Sequence, residues 1–242
     1  MFQEQVCSQM EIWELEHIPK YLDRNKRKQQ HKGKQMIKKT NIIQRILFLG
    51  SLWGVCEATI GYLLHFLPSG LSGMFMFPIG FYFMYNAYLS TEKHSAVIMT
   101  GLIAASIKFI DFFLPSHSPI SVINPSMSII LETLVVFGYL KITSKNLSFP
   151  KNILLGLTWI VLFTLMQAFI TKPTMGLYLY LTTTLILYVI INTIVAGSLI
   201  TYYINNQDFV TWKPALSKAS FIMPATSLFI ALVVELGNSL IF

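Results

Sequence analysis

Five ionisable side chains fall inside stretches otherwise built from Leu, Ile, Val, Phe and small residues: Glu57, Lys108, Asp111, Glu132 and Glu235. At a helix centre in lipid each costs roughly 2.5–3.5 kcal/mol on the insertion scale. A chain carrying five needs partners or a wet cavity for them. Four acids against one base leave three carboxylates uncompensated, a surplus that helix-to-helix glue does not require. Such a surplus fits protonated carboxyls, a bound cation or an amine-bearing ligand. Glu57, Glu132 and Glu235 are therefore candidate ligand or cation contacts. Lys108 would balance Asp111, one turn away, or hold an anionic group of the ligand. A purely local Lys108–Asp111 ion pair explains those two residues equally well.

The spacing of these groups points to one face of each helix. On a helical wheel Gly50, Gly54, Ala58, Gly61 and His65 fall within about 100° of Glu57. Small residues admit a neighbouring helix backbone, so this stripe faces protein and carries Glu57 with it. Gly101, Ala104, Ala105, Lys108 and Asp111 share a face in the same way. Asn124 and Ser128 lie near Glu132, and Ala231, Ser227 and Asn238 flank Glu235. His65 and Asn124, at the outer lip of their segments, complete the candidate binding set. His65 and His117 read as interfacial, solvated side chains, because no HxxxH or HxxE spacing accompanies them. Pro125 reads as a first-turn residue, with Asn124 as the helix cap. Phe75, Phe77, Tyr82 and Tyr85 read as lipid-facing or interfacial packing.

The elements that must position these residues are membrane helices. Of the 242 residues 54% are apolar and 12% charged, against about 25% charged in a soluble domain. The long apolar runs lack strand alternation, so the expected fold is all-α, a polytopic membrane helix bundle. Seven segments are expected, at 43–66, 72–89, 95–114, 122–141, 152–171, 176–204 and 219–242. The second is expected to break at Pro78 and Gly80, and the sixth to kink near Asn192 or Gly197. Residues 1–40 read as a basic cytosolic tail, partly disordered, and 41–242 as the bundle. Met36 opens a stretch that reads as an alternative start.

The net charge of +7 follows membrane topology rather than nucleic-acid binding. Ten Lys and Arg residues lie in the first 45 positions. With the N-terminus inside, cytoplasmic loops hold Lys93, Lys141, Lys145, Lys151, Lys213 and Lys218, and outer loops hold only Lys172. Seven crossings then place the C-terminus outside. By this reading all five buried ionisable residues lie between the midplane and the outer surface. The chain is expected in the cell membrane.

Catalytic signatures such as GxSxG, HExxH and Walker A do not occur. Cys7 and Cys56 suggest neither a disulfide nor a zinc site. No metal or cofactor is expected. The hydrophobic bundle, the small-residue stripe of the first helix and the outward polar pocket together resemble the substrate-binding (S) components of energy-coupling-factor transporters. That resemblance implies capture of a small solute from outside, and docking on a transmembrane coupling subunit with ATPases. Gly50, Gly54 and Ala58 would be the partner-packing positions. The seventh helix and the basic tail depart from the family pattern. The expected function is a substrate-capture membrane transport protein binding a vitamin-like, amine or cationic solute. The alternatives are an autonomous proton- or cation-coupled carrier, an intramembrane enzyme acting on a lipid-linked substrate, and a structural or assembly protein.

Overall fold

The computed structural model describes residues 42–64, 71–113, 119–143, 147–171, 183–206 and 222–241. The contacts below lie within the unit Gln44–Phe242. Among the described residues all regular structure is helical. Helix α1 covers residues 42–64 and passes through a π-helical turn at Glu57–Gly61. Then come α2 (Leu71–Thr91), α3 (His94–Phe109, continued by a 3-10 turn at Ile110–Phe113) and α4 (Pro119–Thr143). Next are α5 (Phe149–Thr171), α6 (Thr183–Asn205) and α7 (Ile222–Ile241). Among the described residues three segments are long and apolar enough to cross a membrane: Val122–Thr143, Phe149–Ile170 and Ile186–Asn205. His94–Phe109 and Pro224–Val234 are apolar but shorter. The basic tail and the stretch 176–182 lie outside the described residues.

Several local expectations change. Helix α2 runs unbroken through Pro78 and Gly80. A proline inside a helix removes one backbone donor, and tertiary packing on both sides of α2 outweighs that local loss. Helix α4 starts at Pro119, so Pro125 sits inside the helix and Asn124 is not its cap. Pro119 is the first-turn proline, where the missing N–H costs nothing. Phe77 (0% exposed) and Tyr85 (7%) belong to the core and not to the lipid face.

Packing is set by small residues at close crossings. Helices α1 and α3 run parallel. A Cβ on Gly50 would lie 2.8 Å from the Ile103 Cβ, and one on Gly54 would lie 2.5 Å from the Ile107 Cδ1. Helices α3 and α4 are antiparallel and cross where Gly101 meets the Thr133 side chain. Helices α5 and α6 interlock at Gly156, which faces the Thr193 carbonyl, and Gly197, which faces the Ile153 backbone. Without a hydrophobic drive between helices in lipid, such close approach is how dispersion holds a bundle together. The interior is aromatic at its centre, where Phe77 stacks on Trp159 with centroids 4.9 Å apart. Outward, α6 exposes Ile186, Leu187, Ile190, Ile191 and Ile194, and α5 exposes Leu157, Val161, Leu165 and Phe169. These continuous apolar faces are what a lipid-facing surface requires.

Two polar ties fix the register of antiparallel α4 and α5. At one end the Gln167 Nε2 donates to the Asn124 Oδ1 at 2.5 Å. At the other the Tyr139 hydroxyl donates to the Asn152 Oδ1 at 2.5 Å, and the Asn152 Nδ2 donates to the Thr201 hydroxyl at 2.8 Å. Asn152 is 1% exposed and thus joins three helices in a dry environment. The second tie lies toward the basic end of the bundle. There the His94 ring meets the Phe137 ring, and the Lys141 Nζ lies 5.9 Å from the Phe137 centroid.

The α5–α6 crossing yields a direct test. Gly197→Val places a branched side chain against the Ile153 backbone, where even a Cβ would stand 2.9 Å from its Cα. Overpacking of this kind costs about 1–3 kcal/mol. The variant is expected to unfold at a lower temperature than the parent in detergent, with helical content retained below the transition.

Candidate functional site

The site is built around Trp53, which is 0% exposed on α1. Its indole N–H donates to the Glu57 Oε1 at 3.1 Å, one turn on. Glu57 opens the π-helical turn. A π turn widens the helix by one residue and turns the following side chains relative to those before it. Its carboxylate also leans over Gly61, where a Cβ would stand 3.4 Å from the Glu57 Oε2. Glu57 is half-buried.

Helix α2 closes the other side of the indole through Gly80. A Cβ at Gly80 would lie 2.7 Å from the Trp53 Cζ2 and 2.7 Å from the Glu132 Oε2. That glycine is required because α2 passes over both an indole and a carboxylate. Glu132 comes from α4, about 12 Å along the helix from the Asn124 tie and about 10 Å from the Tyr139 tie at 1.5 Å per residue. It is 2% exposed. Its Oε2 makes no hydrogen bond among the described residues. Glu132 and Glu57 lie close enough for their charges to repel, and Lys108 lies close enough to Glu57 to attract it. Helices α1 and α4 thus bring Glu57 and Glu132 to one tryptophan, and Lys108 of α3 acts on Glu57.

Lys108 sits in the last turn of α3, half-buried. The Gly101–Thr133 crossing sets the register of α3 on α4. Two turns further along each helix, Lys108 and Ser126 come to the same level and face the same interface. Ser126 is 0% exposed, and its hydroxyl makes no hydrogen bond among the described residues.

The remaining candidates fall differently. Asn124 is engaged with Gln167 at the α4–α5 end and is separated from Glu132 by more than two turns. His65 lies outside the described residues, as do the side chains of Asp111 and Glu235. The backbone of Asp111 lies in the 3-10 turn after α3, and that of Glu235 in α7. Helix α7 packs on the π turn of α1, on α3 and on that 3-10 turn. Gly50, Gly54 and Ala58 are all buried. Gly50 and Gly54 pack against α3 of the same chain, so their neighbour is internal. Among the described residues no group of three His, Cys, Asp or Glu side chains is placed to hold a metal ion.

Sequence reasoning did not single out Trp53, Gly80 or Ser126. Trp53 was accessible, since it stands four residues before Glu57 and such pairs meet on a helix surface. Gly80 was read as a helix breaker, and only the crossing of α2 over α1 and α4 shows what its missing side chain admits. Ser126 gains meaning only through the α3–α4 register.

Gly80→Ala tests the geometry. The added methyl meets the indole and the Glu132 Oε2 together, so a loss of about 1–3 kcal/mol is expected. Trp53→Phe removes the donor to the Glu57 Oε1 while largely keeping the ring volume, and is expected to cost about 1–3 kcal/mol. Thermal unfolding of both variants in detergent checks the pair. Wild-type stability in either one would contradict the contacts described.

No family model, no curated protein and no solved structure matches this chain.

Proposed function

We propose that the protein is an integral membrane transport protein of the substrate-capture kind, with α1 to α7 all crossing the cell membrane and the N-terminus inside. The solute is small and carries a positive or polar group. Glu57, Lys108 and Glu132 contact it, with Asp111 and Glu235 contributing from the 3-10 turn and α7. One observation carries this reading: a carboxylate oxygen of Glu132, buried at the middle of α4, lacks a hydrogen-bond partner among the described residues while facing a second acid. Burying a carboxyl without a partner is expensive. Intramembrane ionisable residues facing a bundle interior characteristically mark ion or substrate pathways. Lacking any nucleotide-binding motif, a capture protein relies on a separate energising subunit.

A second reading is favoured by the burial of the small-residue stripe. Gly50 and Gly54 are used up against α3, so a coupling subunit would have to dock elsewhere. A proton- or cation-coupled carrier acting alone needs no such surface.

The experiment that tests both uses the full chain. Its melting temperature is followed against a panel of vitamins, amines and metal ions, and uptake is measured after reconstitution alone in liposomes. A stabilising ligand without uptake supports capture. Uptake by the reconstituted chain alone supports the carrier. A melting temperature indifferent to the whole panel, with no uptake, overturns both.

A further inference from the structure

We propose that the outer face of α3, α4 and α5, at the basic end of the bundle, binds an anionic phospholipid. Its phosphate is held among Lys93, Lys141 and Lys151, and its acyl chains lie along the exposed apolar residues of the same helices. Such a lipid is bound whether or not any solute is captured.

The three lysines come to one level. Helix α4 lies between α3 and α5 and packs on both. The Tyr139–Asn152 bond brings those two residues side by side. Lys141 then lies about 3 Å beyond Tyr139, and Lys151 about 1.5 Å beyond Asn152, both toward the same end. On α3 the His94 ring meets the Phe137 ring at 6.5 Å, and Lys93 immediately precedes His94. All three lysines therefore fall within about 5 Å of one another along the helix axes. Lys93 and Lys141 are exposed and Lys151 is half-buried. Among the described residues the acid at this end is Glu92, in the α2–α3 turn. Three ammonium groups thus stand against one carboxylate.

The surface next to them is apolar. Helix α2 packs behind this row, touching α3 and α4 and reaching α5 through the Phe77–Trp159 stack. The exposed residues of the row therefore share its other side. Lys141 follows Leu134 by two turns on a single stripe of α4, and Leu134 is exposed. Met99 and Leu102 on α3, and Leu154 on α5, are exposed as well. Tyrosines mark the same level. Tyr88 meets the His94 ring at 4.9 Å, and Tyr202 adjoins the Thr201 to which Asn152 donates. Tyrosine gathers where a bilayer meets water, which puts the lysines at headgroup depth. Lysines grouped at that depth attract anionic headgroups. A zwitterionic headgroup brings no net charge to them.

Purified full-length protein in nanodiscs of mixed phosphatidylcholine and phosphatidylglycerol provides the test. The lipids that stay bound after transfer to detergent are counted by native mass spectrometry. Phosphatidylglycerol is expected to be retained in preference to phosphatidylcholine. Each lysine near an anionic headgroup strengthens binding about fivefold. Lys93→Gln, Lys141→Gln and Lys151→Gln combined are therefore expected to weaken retention on the order of 100-fold. Lipid held by the basic tail is common to both chains and cancels. Should that variant fail to fold, a photoreactive phosphatidylglycerol reads the same property on the parent protein, with label expected on 93–102 and 134–142 rather than on α6. Equal retention of the two lipids by the parent overturns the proposal. So does undiminished retention by the folded variant, or label spread evenly over the bundle. Inorganic phosphate that stabilises the detergent-solubilised chain as strongly as phosphatidylglycerol also overturns it, because the occupant would then need no acyl chains. Retention that is lost with the three lysines supports the lipid site even where no solute stabilises the chain or is moved, so this inference and the transport reading fail separately.

Discussion

The bundle is organised around an acid buried in α4 beside a half-buried acid of α1. Glu132 lies at the middle of α4, 2% exposed, close enough to the Glu57 carboxylate for their charges to repel. Hydrophobic packing alone would not put it there, since an uncompensated buried charge works against the fold. The surrounding structure absorbs that cost through specific devices. The Trp53 N–H and Lys108 serve Glu57, and Gly80 lets α2 pass without crushing the pair. The glycine crossings between α1 and α3, and the Gly101 contact between α3 and α4, fix where Glu57 and Lys108 stand relative to Glu132.

Away from this centre two sets of polar groups behave as ties. Asn124–Gln167 and Tyr139–Asn152–Thr201 satisfy each other at the two ends of the α4–α5 pair. Between helices in lipid, a hydrogen bond of this kind is worth about 0.6 kcal/mol on average. Their value is therefore in register as much as in stability. They hold α4 at fixed depth, and with it Glu132.

Much of the helical content was legible in the sequence because long apolar runs have few alternatives. The segments at 122–141 and 152–171 correspond closely to α4 and α5. The placement of Glu57 and Lys108 was legible for a related reason: the small residues flanking each of them mark faces that pack on protein. What could not be read was which helix filled each stripe. Gly50 and Gly54 look the same whether they await a partner subunit or α3, and only the fold decides. Pro78 and Gly80 carried a strong local breaking signal, yet α2 continues, because contacts with α1, α4 and α6 outweigh local propensity. The π turn at Glu57–Gly61 has no sequence signature; it arises where α1 meets α2, α3 and α7 together.

The central claim is that acids from separate helices share one site. A double-mutant cycle on Glu57→Gln and Glu132→Gln, read by reversible unfolding in detergent, addresses it without reference to any ligand. Shared placement predicts that the two substitutions are strongly non-additive, with an interaction energy above about 0.5 kcal/mol. Stabilities that add within experimental error would mean that each carboxyl is settled by its own surroundings, and would contradict the account.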